Sequence, residues 1–201
     1  MNLANSVPAQ QTPLRTELIR KTIHAAVAVL PVAYAFNWIS RAVLIVVLLV
    51  ATGVALAIEF FRRIAPKVQV RFNSIFGILL RPRERSHVTG ATWLAISCLA
   101  IVVLVPRHAA IAALWCATAG DTAAAVVGRT IGTAGGGRKT YAGSAAFFAI
   151  AVTGIIYLSV FPPLRAVTIA LVAMVAERYA GRIDDNVVVA AATGAIAWGL
   201  S

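Results

Sequence analysis

The chain has 201 residues, 60% of them hydrophobic and only 12% charged, with a formal net charge of +11. Soluble domains average about 25% charged residues, so little polar material is left to cover a water-facing surface. With a mean hydropathy of +0.86, this composition excludes a secreted disulfide scaffold, a disordered chain and a coiled coil, and indicates an all-α polytopic membrane bundle.

Residues 1–16 are polar, include Pro8 and Pro13, and read as a disordered tail without the pattern of a cleavable signal. Residues 17–201 read as one membrane-embedded domain. Apolar runs predict about seven helices, near 22–38, 42–58, 88–105, 109–128, 144–161, 164–177 and 187–200. Between the second and third lies Val68–Leu80, too short to cross; it reads equally as an amphipathic helix lying in the interface or as a hairpin packed on the bundle. Pro106 and Pro162-Pro163 mark turns. Cys98 and Cys116 sit inside apolar runs and read as small fillers. Trp38, Trp93, Trp115 and Trp198 read as belt or core residues.

Basic residues crowd the N-terminal region and the 59–85, 129–143 and 178–186 connections, whereas the opposite side of a seven-span arrangement holds Arg41, Arg107 and Arg165. Such asymmetry places the N-terminus and the longer connections in the cytoplasm. The excess positive charge then serves anionic headgroups and phosphates, with no nucleic-acid partner.

The acidic residues are Glu17, Glu59, Glu84, Asp121, Glu177, Asp184 and Asp185, none of them in an outer loop. A carboxylate in a spanning helix costs about 2.5–3.5 kcal/mol on insertion scales. Asp121 follows Gly120 in an apolar run with no basic residue within one turn, which points to function. For Glu59, pairing with Arg62 or Arg63 at helical spacing is as good a reading as function; Glu177 is similarly balanced. Asp184-Asp185-Asn186 offers three adjacent oxygen-bearing side chains at a helix start. One residue suffices as a cap, so the triplet reads as a Mg²⁺ site that shares its cation with substrate phosphates, with Asp185 or Asn186 also able to cap.

The 128–144 segment is rich in glycine and carries Arg138 and Lys139. Glycine lets backbone N–H groups turn toward an anion while the cations supply charge. The segment departs from the P-loop pattern, because Arg138 precedes Lys139. Carboxylates, a metal cluster and a basic glycine-rich loop on one membrane face suit phosphoryl or nucleotidyl transfer between a nucleotide and an interfacial lipid.

Four blocks carry a family resemblance. Glu17-Leu18-Ile19-Arg20-Lys21-Thr22-Ile23-His24 resembles an R-K-x-x-H opening. Glu59 with Arg62-Arg63 is followed by the 81–92 run. Gly120-Asp121 through Gly128-Arg129, then Gly132 and Lys139-Thr140-Tyr141-Ala142-Gly143-Ser144, is similar to G-D-x-x-A-x-x-x-G…G…K-[ST]-x-E-G-S. Glu177 leading to Asp184-Asp185-Asn186 resembles an E…D-N block. Over about residues 17–198 the chain resembles the integral-membrane CTP-dependent lipid kinases: dolichol or polyprenol kinase, phytol kinase and fungal-type diacylglycerol kinase. The chain has Ala142 where that pattern has Glu, which would pass that residue's role to Asp121 or Asp184.

The resemblance implies transfer of the γ-phosphoryl group of CTP to a long-chain lipid alcohol, with Mg²⁺. It implies Asp121, Asp184, Asp185 and Asn186 at the metal, and Gly120, Gly128, Gly132, Gly135, Gly136, Gly137, Arg138, Lys139, Thr140, Gly143 and Ser144 around the nucleotide and its phosphates. Asp121 or Glu177 would accept the alcohol proton, Lys139 would act in catalysis, and Lys21, His24, Glu59 and Arg63 would be additional site residues. A phosphatidate cytidylyltransferase is the nearest alternative, distinguished by release of pyrophosphate. A small proton- or ion-coupled transporter is a more distant one, since its acids would be spread across the bilayer.

Overall fold

Prolines set the helix boundaries, because a proline has no N–H to give and is tolerated in a first turn. The computed structural model describes residues 14–131, 139–159, 161–181 and 183–201, and among these the chain forms helices and connections without a strand. Helix α1 is Leu14–Ala26 and α2 is Val29–Ala35. The expected 22–38 helix is thus interrupted at Val27–Ala28. Pro31 explains the break, since it cannot donate to the Val27 carbonyl one turn before it. Of the expected disordered tail, residues 14–16 belong to α1 and residues 1–13 lie outside the described residues.

Helix α3, Arg41–Ile64, starts at Ser40, whose side chain accepts from the Val43 N–H. It runs one and a half turns past the expected end, carrying Glu59, Arg62 and Arg63 as helical residues. Pro66 then opens α4, Pro66–Phe76, which has no buried residue and packs against α3. Of the Val68–Leu80 segment, Val68–Phe76 is therefore helical, and it folds back on α3. A 3₁₀ turn, Pro82–Arg85, leads to α5, Gly90–Leu104, which Thr89 caps. Helices α6, Arg107–Trp115, and α7, Asp121–Thr130, are joined by a π-helical turn, Cys116–Gly120. Then come α8, Tyr141–Ser159, α9, Pro163–Arg178, and α10, Asp185–Gly199.

Three helical stretches are long and apolar enough to cross a membrane: Arg41–Ile64, Arg107–Thr130 and Tyr141–Ser159, with mean hydropathies of 2.7, 1.5 and 1.8. Their burial differs by position. Arg107–Thr130 is the central column, packed by α8 and α10, and small side chains such as Ala109, Ala112 and Ala113 let its neighbours approach closely. Helix α3 is peripheral and presents Val46, Leu49, Val50, Val54, Phe60 and Phe61 outward. Cys98 and Cys116 are buried free thiols, as fillers should be.

Successive columns alternate in direction, which gives the bundle two ends. At one end, cations satisfy the carbonyls that helix C-termini leave without partners. Arg41 donates to Val102, Val103 and Val105 after α5, and Arg107 to Tyr34 and Ala35 of α2. His108 bonds Ser159 of α8, and Arg165 donates to Leu200. Trp38 and Trp198 are exposed on elements at this end. The other end gathers the C-termini of α3, α7 and α9, the starts of α5, α8 and α10, and, among the described residues, the side chains of Glu59, Glu84, Glu177, Asp184 and Asp185.

Candidate functional site

Three polar clusters occupy the acidic end. The first forms where α1 crosses the π-helical turn. Lys21 and His24, one turn apart on α1, both reach Asp121 at the start of α7. Lys21 Nζ makes an ion pair with Asp121 Oδ2. His24 Nε2 lies 3.1 Å from the Ala117 carbonyl and 3.3 Å from Asp121 Oδ2. Both are acceptors, so the ring carries its proton on Nε2. All three side chains are buried. Asp121 thus has a cation partner after all, one that lies 100 residues away in sequence.

The second cluster joins the last turn of α9 to the first turn of α10. Lys139, just before α8, places Nζ 2.6 Å from Glu177 Oε1 and 3.5 Å from Asp185 Oδ2, and it also donates to the Glu177 carbonyl. Lys139 is within electrostatic reach of Asp121 as well, which ties the first two clusters together. This second cluster is not saturated. Glu177 Oε2 is buried there without a hydrogen-bond partner, as is Asn186 Oδ1 on the neighbouring turn of α10, whose amide nitrogen faces Gly90 and Asp184; such orphans ordinarily cost free energy unless a ligand, ion or water completes them.

Asp184, not Asp185 or Asn186, caps α10. Its Oδ1 accepts from the Asn186 N–H at 3.1 Å and from Asn186 Nδ2 at 2.8 Å. Asn186 Nδ2 also reaches the Gly90 carbonyl at 3.3 Å. Burial, together with the neighbouring Asp185 charge, holds the Asp184 carboxyl above its usual range.

The third cluster is saturated. Arg62, fully buried, binds Glu59 Oε2 through Nε at 2.9 Å and Nη2 at 2.7 Å. It further donates to the carbonyls of Glu84, Arg85 and His87, and stacks over the Phe72 ring of α4. Glu59 Oε1 accepts from the Thr89 N–H at 2.9 Å, and Glu84 Oε1 from the Gly90 N–H at 3.0 Å. Two carboxylates thus sit at the N-terminus of α5, where its dipole favours negative charge. Glu59 belongs to this clamp, and Arg63 adds a looser contact at 3.8 Å. Sequence reading of the site passed over Glu84 and Thr89; Glu84 sits in a run of arginines that resembles a solvated loop.

Several residues expected around the phosphates have packing partners instead. Helices α7 and α8 touch backbone to backbone, and a Cβ on Gly143 would come within 2.7 Å of the Ala124 carbonyl. Gly128 faces Gly143 across the same contact, and Gly120 lies against the Phe147 ring. Thr140 Oγ1 accepts from the Gly143 N–H at the start of α8, and Ser144 Oγ accepts from Arg178. Gly132, Gly135, Gly136, Gly137 and Arg138 lie outside the described residues.

Among the described residues, no three His, Cys, Asp or Glu side chains group as a self-sufficient metal site. Mg²⁺ needs no such group, since it binds through one or two carboxylates and keeps water or phosphate ligands. Glu177, Asp185 and Asn186 offer that kind of partial donor set. Asp121 fits less well, because Lys21 already neutralises it.

Comparison of the chain with family models, with characterised proteins and with solved structures finds no match.

Proposed function

We propose that this protein is a membrane-embedded kinase that moves the γ-phosphoryl group of CTP to a long-chain lipid alcohol, polyprenol, phytol or diacylglycerol, at the cytoplasmic face. The supporting observation is the unsaturated second cluster. A lysine bridges two carboxylates there, and one of them keeps a buried oxygen, Glu177 Oε2, without a partner. A cluster of this kind is ready to exchange Lys139 from carboxylate to phosphate oxygen when a nucleotide arrives. The sequence resemblance to CTP-dependent lipid kinases supplies the donor and the acceptor class.

In this reading Lys139, with Arg138 and the 135–137 glycines, holds the triphosphate. Mg²⁺ held by Asp185, Glu177 and Asn186 would offset phosphate charge. The alcohol oxygen bonds to the γ-phosphorus as the bond to the β–γ bridging oxygen breaks. The electron pair leaves with CDP, and the hydroxyl proton passes to a carboxylate, Glu177 or Asp121. Lys21 and His24 hold Asp121 in place from α1. In this reading the α1–α2 pair, α3, α5, the Arg107–Thr130 column, α8, α9 and α10 each cross the bilayer, with the N-terminus on the cytoplasmic side that the excess of basic residues marks.

The test is label transfer by purified protein in detergent with Mg²⁺. Label from the γ-position of CTP should enter phytol, a polyprenol or diacylglycerol and leave CDP. Label from the α-position entering phosphatidate, with pyrophosphate released, would replace the kinase by a cytidylyltransferase.

A further inference from the structure

A second opening lies on the far side of the α10 start. A cleft of about 640 Å³ runs between the end of α3, the 84–88 connection, α5 and Asp184. Its walls include Arg63, Glu84, His87, Val88 and Trp93. None of these belongs to the Lys139 cluster, yet the cleft ends one residue away from it. The consecutive carboxylates of α10 serve different sides: Asp185 Oδ2 faces Lys139, whereas Asp184 Oδ2 lies toward Gly90.

The chemistry of the walls selects an occupant. Glu84 stands in the wall with its two carboxyl oxygens engaged by the N–H groups of Arg81 and Gly90. Asp184 adds a second carboxylate, with Oδ1 occupied by Asn186. Gly90 presents no side chain in front of Asp184 Oδ2; a Cβ there would stand 3.6 Å away. The wall's cation, Arg63, reaches toward Glu59 at 3.8 Å, so a triphosphate or an anionic headgroup entering deeper meets the carboxylates of Glu84 and Asp184, whereas a hydroxyl group finds acceptors. Val88 and partly exposed Trp93 supply apolar wall further out. The mouth adjoins the last turns of α3, where Phe60, Phe61 and Ile64 are more than half exposed beside Arg63. An apolar tail leaving the cleft therefore continues onto the surface of a helix apolar enough to face lipid.

We propose that this cleft is the acceptor's entrance, admitting an uncharged long-chain alcohol hydroxyl-first past Asp184 toward Glu177, so that donor and acceptor approach the first turn of α10 from opposite sides. The inference rests on the kinase reading and names its acceptor entrance. Its test is photolabelling of the full chain in detergent with a diazirine-bearing long-chain alcohol, followed by peptide mapping. Label should fall within residues 60–64 and 84–93. Phytol should compete for it and phosphatidate should not. Val88→Trp, which fills the cleft, should lower labelling about tenfold, the loss expected from about 1.4 kcal/mol of contact. Label on α8 or α9 of the wild-type chain, or equal competition by phosphatidate, would overturn the acceptor site whatever the variant does. Labelling at the cleft by a protein that transfers no phosphate would keep the alcohol site and remove the kinase. Phosphoryl transfer with labelling elsewhere would do the reverse.

Discussion

The Arg62 cluster and the Lys139 cluster sit at the same end of the bundle and use the same residue types, yet they differ in completeness. Every nitrogen of the Arg62 guanidinium has an acceptor, and the carboxylates of Glu59 and Glu84 are spent on the N-terminus of α5. Lys139 is one-third exposed, shares itself between two carboxylates and leaves Glu177 Oε2 without a partner. A complete buried network rigidifies. An incomplete one holds capacity for a ligand. The difference separates a structural clamp from a candidate site where residue type alone does not.

That comparison breaks most sharply at Arg62. Arg62→Met leaves the buried Glu59 carboxylate without its close cation and should cost about 3–5 kcal/mol, read as loss of folded protein in detergent thermal denaturation. If the variant folds normally, the clamp is not one. At Lys139 the balance reverses. Lys139→Met also strips a buried carboxylate, Glu177, of its ion-pair partner, but the lysine is one-third exposed, so the loss of stability should be smaller than at Arg62, while phosphoryl transfer falls by about 10²–10³-fold, the usual loss for one charge-stabilising donor. Equal loss of stability at both positions would erase the distinction.

Gly143→Ala probes a residue whose functional and packing readings compete. Its Cβ would meet the Ala124 backbone, so α7 and α8 must separate at a cost of about 1–3 kcal/mol. Unfolding measurements check this. Unchanged stability with lost nucleotide binding would return Gly143 to the phosphates.

The smallest effect is expected at Asp184. A carboxyl held above its usual range in the folded state binds its proton more tightly there than in the unfolded chain. Its contribution therefore turns unfavourable as pH rises through the raised value, and recovers as pH falls toward the ordinary carboxylate range. Asparagine caps as well as aspartate. Asp184→Asn should remove that part of the pH dependence, leaving the variant at least as stable as the wild type near pH 8. Parallel melting curves from pH 8 to pH 4 report the difference.

Much of the helical order is legible in the sequence because apolar runs and prolines dictate it. The extension of α3 through Arg63 is less so, since Glu59, Arg62 and Arg63 look like a polar connection until Thr89 and Glu84 fold back on them. Lys21 and His24 could be named as neighbours of the site, but their pairing with Asp121 depends on α1 crossing the π-helical turn, which no local spacing encodes. The glycines were ambiguous for a physical reason. Absence of a Cβ admits an anion and a neighbouring helix alike, and at Gly128 and Gly143 the helix is what occupies the space.

The most direct measurement of the central claim is the melting temperature of the purified chain with and without CTP and Mg²⁺, for wild type and Lys139→Met. A ligand that binds only the folded state raises stability by mass action. The wild type should shift upward with ligand and the variant should not. No shift in either, or the same shift in both, would contradict the assignment of the Lys139 cluster as the phosphate site.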